Sequence, residues 1–219
     1  MFVAKNLLWT PPSAGSLIVL DGIGTGFSGL LPLPASQISW THVVTTSGAT
    51  IFFDVATDRN ITLTGPIING STSSTAVDSV TLSGGSSGNA YLKRFKWVST
   101  SAGSFTITLA GSVNSWAVAN SVSYTGVTSI GTAQTTTGTG TSVSASATCS
   151  PGQLLLQSFI GESNSSMSAM TVSGGTNRYN VNQGNTLLAI NDATTSTTFT
   201  GSGATGMNYW GSLAHALTH

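Results

Sequence analysis

The sequence predicts an all-β protein, a jelly-roll-like β-sandwich, from three observations: its composition, its short alternating strands and the turn residues between them. Only 5% of the residues are charged, against about 25% in an ordinary soluble domain. About three residues in ten are Ser or Thr, and 26 are Gly. Branched Thr suits a pleated surface, while Gly and Ser supply tight turns. Hydrophobic residues make up 39% of the chain and include five Trp, enough for a sizeable core and an argument against disorder. No segment combines a helical period with caps, so any helix is expected to be short.

Residues 1–36 read as an extended N-terminal arm. The apolar runs at 17–20 and 29–31 are interrupted by Gly and Pro, among them Pro12, Gly24, Pro32 and Pro34. Neither run approaches the roughly 18 residues of a spanning helix. With Lys5 as its one basic residue and no long apolar centre, the start of the chain does not read as a signal peptide. The arm is expected to be held by a neighbouring subunit, with Trp9 and Phe27 as partner contacts and Gly24 to Gly29 as a flexible hinge.

Residues 37–219 are expected to form a single sandwich domain. Strands are predicted at 38–44 and 49–55; Ile51, Phe52 and Phe53 in succession imply burial on both faces or a bulge. A strand at 79–82 follows. In 91–98, Tyr91, Lys93, Phe95 and Trp97 share one face, and Leu92, Arg94, Lys96 and Val98 the other. Phe105, Ile107 and Leu109 alternate with Thr in 104–109. In 116–124, Trp116, Val118, Asn120, Val122 and Tyr124 oppose a face of small residues. Further strands are predicted at 142–148, 153–160, 170–173, 186–190, 196–200 and 207–217. The Thr-rich segment 132–147 is compatible with a flexible linker and with an edge strand.

Zero net charge and a pI near 6.8 remove the attraction that dominates binding to nucleic acid or an anionic membrane. Neither nucleic acid nor membrane insertion is expected. Cys149 is the only cysteine, so it cannot form an internal disulfide or a cysteine metal knot. So neutral a chain risks poor solubility alone, which places it in a larger assembly, itself included.

Four blocks carry a resemblance: Trp116-Ala-Val-Ala-Asn-Ser-Val-Ser-Tyr-Thr-Gly-Val-Thr-Ser-Ile-Gly131, Pro151-Gly-Gln-Leu-Leu-Leu-Gln-Ser-Phe-Ile-Gly161, Asn185-Thr-Leu-Leu-Ala-Ile-Asn-Asp192 and Tyr209-Trp-Gly-Ser-Leu-Ala214. In their order they resemble the jelly-roll modules of minor tail and related virion proteins of tailed phages, particularly those of actinobacteria. The resemblance covers roughly the second half of the chain. It implies virion assembly in the host cytoplasm as a minor tail or capsid decoration component, other virion proteins as partners, and contact with host-surface glycans. Within these 219 residues neither a collagen-like repeat nor an added receptor-binding or hydrolase domain is expected.

Candidate chemistry is sparse. Gly24-Thr-Gly-Phe-Ser-Gly29 matches a dinucleotide fingerprint, but Pro32 and Pro34 block the helix it would have to open. Gly161-Glu-Ser-Asn-Ser165 lacks the closing Gly of a nucleophile elbow. The carboxylates Asp21, Asp54, Asp58, Asp78, Glu162 and Asp192 are scattered, and Asp54 with Asp58 is the one local candidate for calcium. Asn60, Asn69 and Asn164 begin N-x-[ST] triplets that read as turns. No catalytic residue, cofactor or metal site is therefore expected. Tyr179, between Arg178 and Asn180 in an expected polar loop, is the candidate glycan contact. Lys93, Arg94 and Lys96 are candidate partner contacts or a charged edge that discourages strand pairing. Two functional classes follow: a non-catalytic virion component acting through oligomeric assembly, and a carbohydrate-binding module.

Overall fold

Alternation of apolar and hydroxyl residues becomes strand throughout the computed structural model, which describes residues 17–31, 37–84, 88–111, 115–202 and 204–219. Trp9 and the other residues of the expected arm before Leu17 and after Leu31 lie outside this set. The strands are β1 (Val19–Ile23), β2 (Phe27–Leu31), β3 (Ile38–Val44), β4 (Thr50–Thr57), β5 (Leu63–Ile68), β6 (Thr72–Ser73), β7 (Thr75–Leu82), β8 (Ala90–Val98), β9 (Gly103–Gly111) and β10 (Ser115–Thr125). Then follow β11 (Ser129–Ile130), β12 (Gln134–Thr139), β13 (Val143–Ala147), β14 (Leu154–Ser163), β15 (Thr171–Ser173), β16 (Thr176–Gln183), β17 (Thr186–Ala193), β18 (Thr197–Ser202) and β19 (Met207–Thr218). The described residues contain no helix, hence none long and apolar enough to cross a membrane.

The strands make four antiparallel sheets. Sheet I has the order β3-β9-β5-β6; sheet II has β1 and β2 beside β10, then β4, β8 and β7. Sheet III has β11 and β12 beside β19, then β14, β17 and β16; sheet IV has the order β13-β18-β15. They stack I, II, III, IV with an apolar core in each of the three gaps. Ile38, Trp40, Ile107 and Leu109 of sheet I meet Ile51, Phe53 and Val55 of sheet II. Phe52, Leu92, Val118 and Val122 on the other face of sheet II meet Leu156, Ile160, Leu188 and Leu213 of sheet III. Leu155, Phe159, Leu187 and Trp210 of sheet III then meet Val143, Ala145 and Phe199 of sheet IV.

This stacking decides between burial and a bulge at Ile51-Phe52-Phe53. Sheet II is covered on both faces, so all eight residues of β4 are buried, as are all ten of β14 in sheet III. Continuous apolar runs belong to such doubly covered strands, while alternation marks the outer sheets. Where one core was expected, the described residues form three. Ile107→Val in the first of them is expected to cost about 1 kcal/mol, read as a lower denaturant midpoint at unchanged slope.

Within the expected arm, β1 and β2 are strands of sheet II, running along this chain's own β10: Ile23 lies opposite Val122 and Phe27 opposite Ala119. The glycine segment between them is a kink in an edge strand; Gly26 turns at a φ of 72°, a conformation that favours glycine. The Thr-rich segment resolves as strand, β12 against β19 and β13 against β18.

The two halves of the chain repeat one topology. Strand pairing is nested in each: β2 with β10, β3 with β9 and β4 with β8, then β12 with β19, β13 with β18 and β14 with β17. A bulge recurs at the same place, with Val77 the extra residue of β7 and Arg178 that of β16. Matching the bulges equates Arg94 with Ile190, their neighbours Asp54 with Ser158, and Asp58 with Glu162. The halves also pack reciprocally: β7 lies against β19 and β16 against β10, β4 against β17 and β14 against β8. Such reciprocity is the mark of a two-fold, self-complementary interface, here made within a single chain.

Candidate functional site

Most of the protein's few charges gather along the seam between sheets II and III. At its centre Arg94 is fully buried and pairs bidentately with Asp54, Nε to Oδ1 and Nη2 to Oδ2, both at 2.8 Å. Arg94 also donates to the Ser158 hydroxyl at 2.9 Å and the Leu156 carbonyl at 3.0 Å, and lies 3.1 Å from His215 Nδ1. Ser158 in turn donates to Asp54 at 2.5 Å. The equivalent residues Asp54 and Ser158 thus touch across the seam.

This network corrects the reading of Lys93, Arg94 and Lys96 as a surface cluster. β8 is an inner strand between β4 and β7, and its even-numbered face points at sheet III, so Arg94 stands opposite Asp54 and cannot reach a partner. It is also no edge to be protected. Lys93 donates to the Ile61 carbonyl at 2.9 Å and lies over the Tyr91 ring; Lys96 is half-buried. Phe27, the other expected partner contact among the described residues, packs half-buried against the core between sheets I and II. Asp54, paired with Arg94, is not available for calcium.

At one end of the seam lies a cleft of about 640 Å³, within the range of small-molecule sites. Leu17, Ile18, Val19 and Leu20 form one wall, Leu154 and Tyr124 contribute from β14 and β10, and residues 174–176 and Arg178 with 192–195 form the other wall. Arg178 donates from Nε to Asp192 Oδ2 at 2.8 Å, and the Tyr124 hydroxyl donates to the same oxygen at 2.8 Å. Burial, with Asp192 beside it, raises the Tyr124 hydroxyl pKa well above its ordinary value, so it remains a donor. The bulge aims Arg178 here, one residue before Tyr179, which turns into the central core.

The expected glycan trio is therefore divided. All three residues lie on edge strand β16, not in a loop. Tyr179 packs against the core beside Gly26, with burial pushing its pKa up to about 12; Asn180 gives its amide to the Met170 carbonyl. Arg178 alone lines a cleft. Tyr124 and Asp192, its companions, were not singled out from sequence. A lone Asp closing the apolar run Thr186-Leu-Leu-Ala-Ile-Asn-Asp192 was the available signal, since a buried carboxylate needs a partner.

Two further clusters are internal. Asp58 and Glu162, at equivalent positions of the halves, are buried and share the Asn185 amide, at 3.5 and 3.3 Å. Neither lines the cleft. Ser163, of the elbow-like segment, donates to the Gly206 carbonyl. Between sheets I and II, His42 lies 2.8 Å from Ser121 Oγ through Nδ1 and 2.9 Å from Ser123 Oγ through Nε2, and Ser123 donates to Asp21 at 3.1 Å. His42 is fully buried, and that burial lowers its pKa to about 4, so it is a neutral bridge at pH 7.

The outward faces of sheets I and IV carry almost no charge. Ser39, Thr41 and Thr106 are exposed on sheet I, and Ser144, Ser146, Thr171, Ser173 and Thr198 on sheet IV. Neighbouring hydroxyls satisfy one another, Ser146 with Thr198 at 2.8 Å and Ser173 with Thr200 at 2.7 Å. In comparisons with known proteins, no family model, curated protein or solved structure matches the chain.

Proposed function

We propose that the protein is a non-catalytic structural component of a virion, of minor tail or decoration type, that works by assembling with itself and with other virion proteins. The observation that carries this reading is the placement of charge. Asp54, Asp58, Arg94, Glu162 and Asp192 are all buried, while the outer sheets present hydroxyls. Few charged side chains need be stripped of water when such faces are covered, and protein interfaces are depleted of charge at their centres. The nested pairing of each half supports the jelly-roll reading, an architecture common in capsid proteins. Among the described residues, four of the six exposed large aliphatic side chains, Leu17, Val19, Ile23 and Leu30, fall on or beside β1 and β2, which supports this edge as part of a contact. Sedimentation of the full chain across the micromolar range tests the proposal: a discrete oligomer is expected, and a monomer at every concentration overturns self-assembly.

A second reading, carbohydrate binding, is favoured by one observation, the cleft that holds Arg178, Asp192 and Tyr124 between an aliphatic wall and a strand edge.

A further inference from the structure

We infer that this cleft binds a neutral sugar, with Arg178 and Asp192 reading a pair of adjacent hydroxyls and Ile18, Leu20 and Leu154 packing against the ring. The inference rests on the carbohydrate reading and gives it a site. Of the guanidinium's five donors, Nε–H is spent on Asp192 and a further contact is made with the Tyr124 hydroxyl, which leaves donors over. Of the carboxylate's oxygens, Oδ2 takes both Arg178 and Tyr124. The ion pair thus sets one group that only gives hydrogen bonds beside one that only accepts them. A hydroxyl does both, so two neighbouring hydroxyls match the pair. Because the pair carries no net charge, it favours a neutral ligand over an acidic one.

The rest of the lining fits the same ligand. The wall of Leu17, Ile18 and Leu20 offers an apolar surface to the C–H face of a sugar ring, and Thr176, Thr194 and Thr195 add hydroxyls. A smaller recess of about 170 Å³ shares Leu17, Ile18, Leu154 and Thr194 and adds Gln153, leaving room for a second ring.

The internal repeat supplies a control. The corresponding corner of the other half is a cleft of about 370 Å³ lined by Thr75 to Asp78, Lys96, Ile130 to Ala133 and His215. There the bulge residue is Val77 in place of Arg178, and Lys96 occupies the position of Asp192. The architecture therefore makes this corner without the ion pair, and the pair is an addition particular to one cleft.

Titrating the full-length protein, methyl-labelled at Ile, Leu and Val, separately with galactose, glucose, mannose and glucuronate tests the inference by NMR. At least one neutral sugar is expected to give saturable shifts at Ile18, Leu20 and Leu154 and none at the remote Ile107. Arg178→Gln is expected to weaken that binding about tenfold or more, the value of a hydrogen bond to a charged group. Arg178→Lys, which keeps the charge beside Asp192 but loses the planar fork, is expected to weaken it as well while the remaining spectrum stays native. Sugar shifts only at methyls outside the cleft would overturn the site and leave the carbohydrate reading standing; no shifts with any sugar would overturn both. Tighter binding of glucuronate, or binding unchanged in Arg178→Gln, would overturn the hydroxyl-pair recognition.

Discussion

Arg94→Met is expected to destabilise the protein by about 3 to 5 kcal/mol, the cost of leaving one charge of a buried pair behind. Asp54 would keep only the Ser158 hydroxyl of its present side-chain donors, and the Leu156 carbonyl would lose the guanidinium. Desolvation, not the lost attraction, dominates that cost. The double variant Arg94→Met with Asp54→Leu is accordingly expected to be more stable than Arg94→Met alone, since apolar replacements of buried pairs are often close to neutral. Denaturant unfolding of both variants provides the check. A single variant within about 0.5 kcal/mol of the parent, the range of an ordinary surface substitution, would show that the pair does not hold the seam.

Acid is expected to remove several kcal/mol of stability between pH 6.5 and pH 4. His42 and His215 each have a folded-state pKa lowered from 6.5 to about 4, chiefly by burial. Above pH 6.5 neither folded nor unfolded chain protonates them. Between 6.5 and 4 the unfolded chain takes up protons that the folded chain refuses, so stability falls with pH; below 4 the loss is complete. Each residue contributes roughly 3 kcal/mol at most. Around His215, Arg94 adds to the lowering while Asp54 and Asp78 oppose it; around His42, Asp21 opposes it. Asp21 itself has a lowered pKa, and its contribution is lost only as pH falls below the ordinary carboxylate value of 3.8, a separate window. Unfolding free energy measured from pH 7 to pH 4 should therefore decline steadily, and His215→Gln should remove about half of the slope. A flat profile would contradict the assignment of both residues as buried and neutral.

The fold class was legible because period-two alternation is a local property. The faces of β10 and β8 follow directly from it, and so does the Thr ladder of β9. What sequence could not supply was the layering. Ile51-Phe52-Phe53 announces two covered faces, but which sheets cover them depends on residues a hundred positions away. Arg94 hides its role for the same reason: a basic residue in a strand reads as solvated until its acidic partner, Asp54, is placed beside it. The repeat was hidden because equivalent positions diverged in chemistry, Asp54 to Ser158 and Arg94 to Ile190, while strand order survived. At the cleft, Arg178 was visible as a polar position, but Tyr124 comes from another sheet and only the packing of β10 on β17 delivers it.

The nested pairing has a consequence for biosynthesis. In each half an early strand waits for the final one: β1 and β2 have no neighbour in sheet II until β10 emerges at residue 125, and β12 waits for β19. Contacts of such long sequence separation slow folding. The first half can close while the second is still being translated. Until sheet III arrives, the nascent chain displays Phe52, Leu92, Val118 and Val122 on an open face, with the Arg94 and Asp54 pair at its centre. That interval is the point of greatest exposure to aggregation, and a charged pair in the middle of the apolar face makes it less adhesive to a neighbouring ribosome's product.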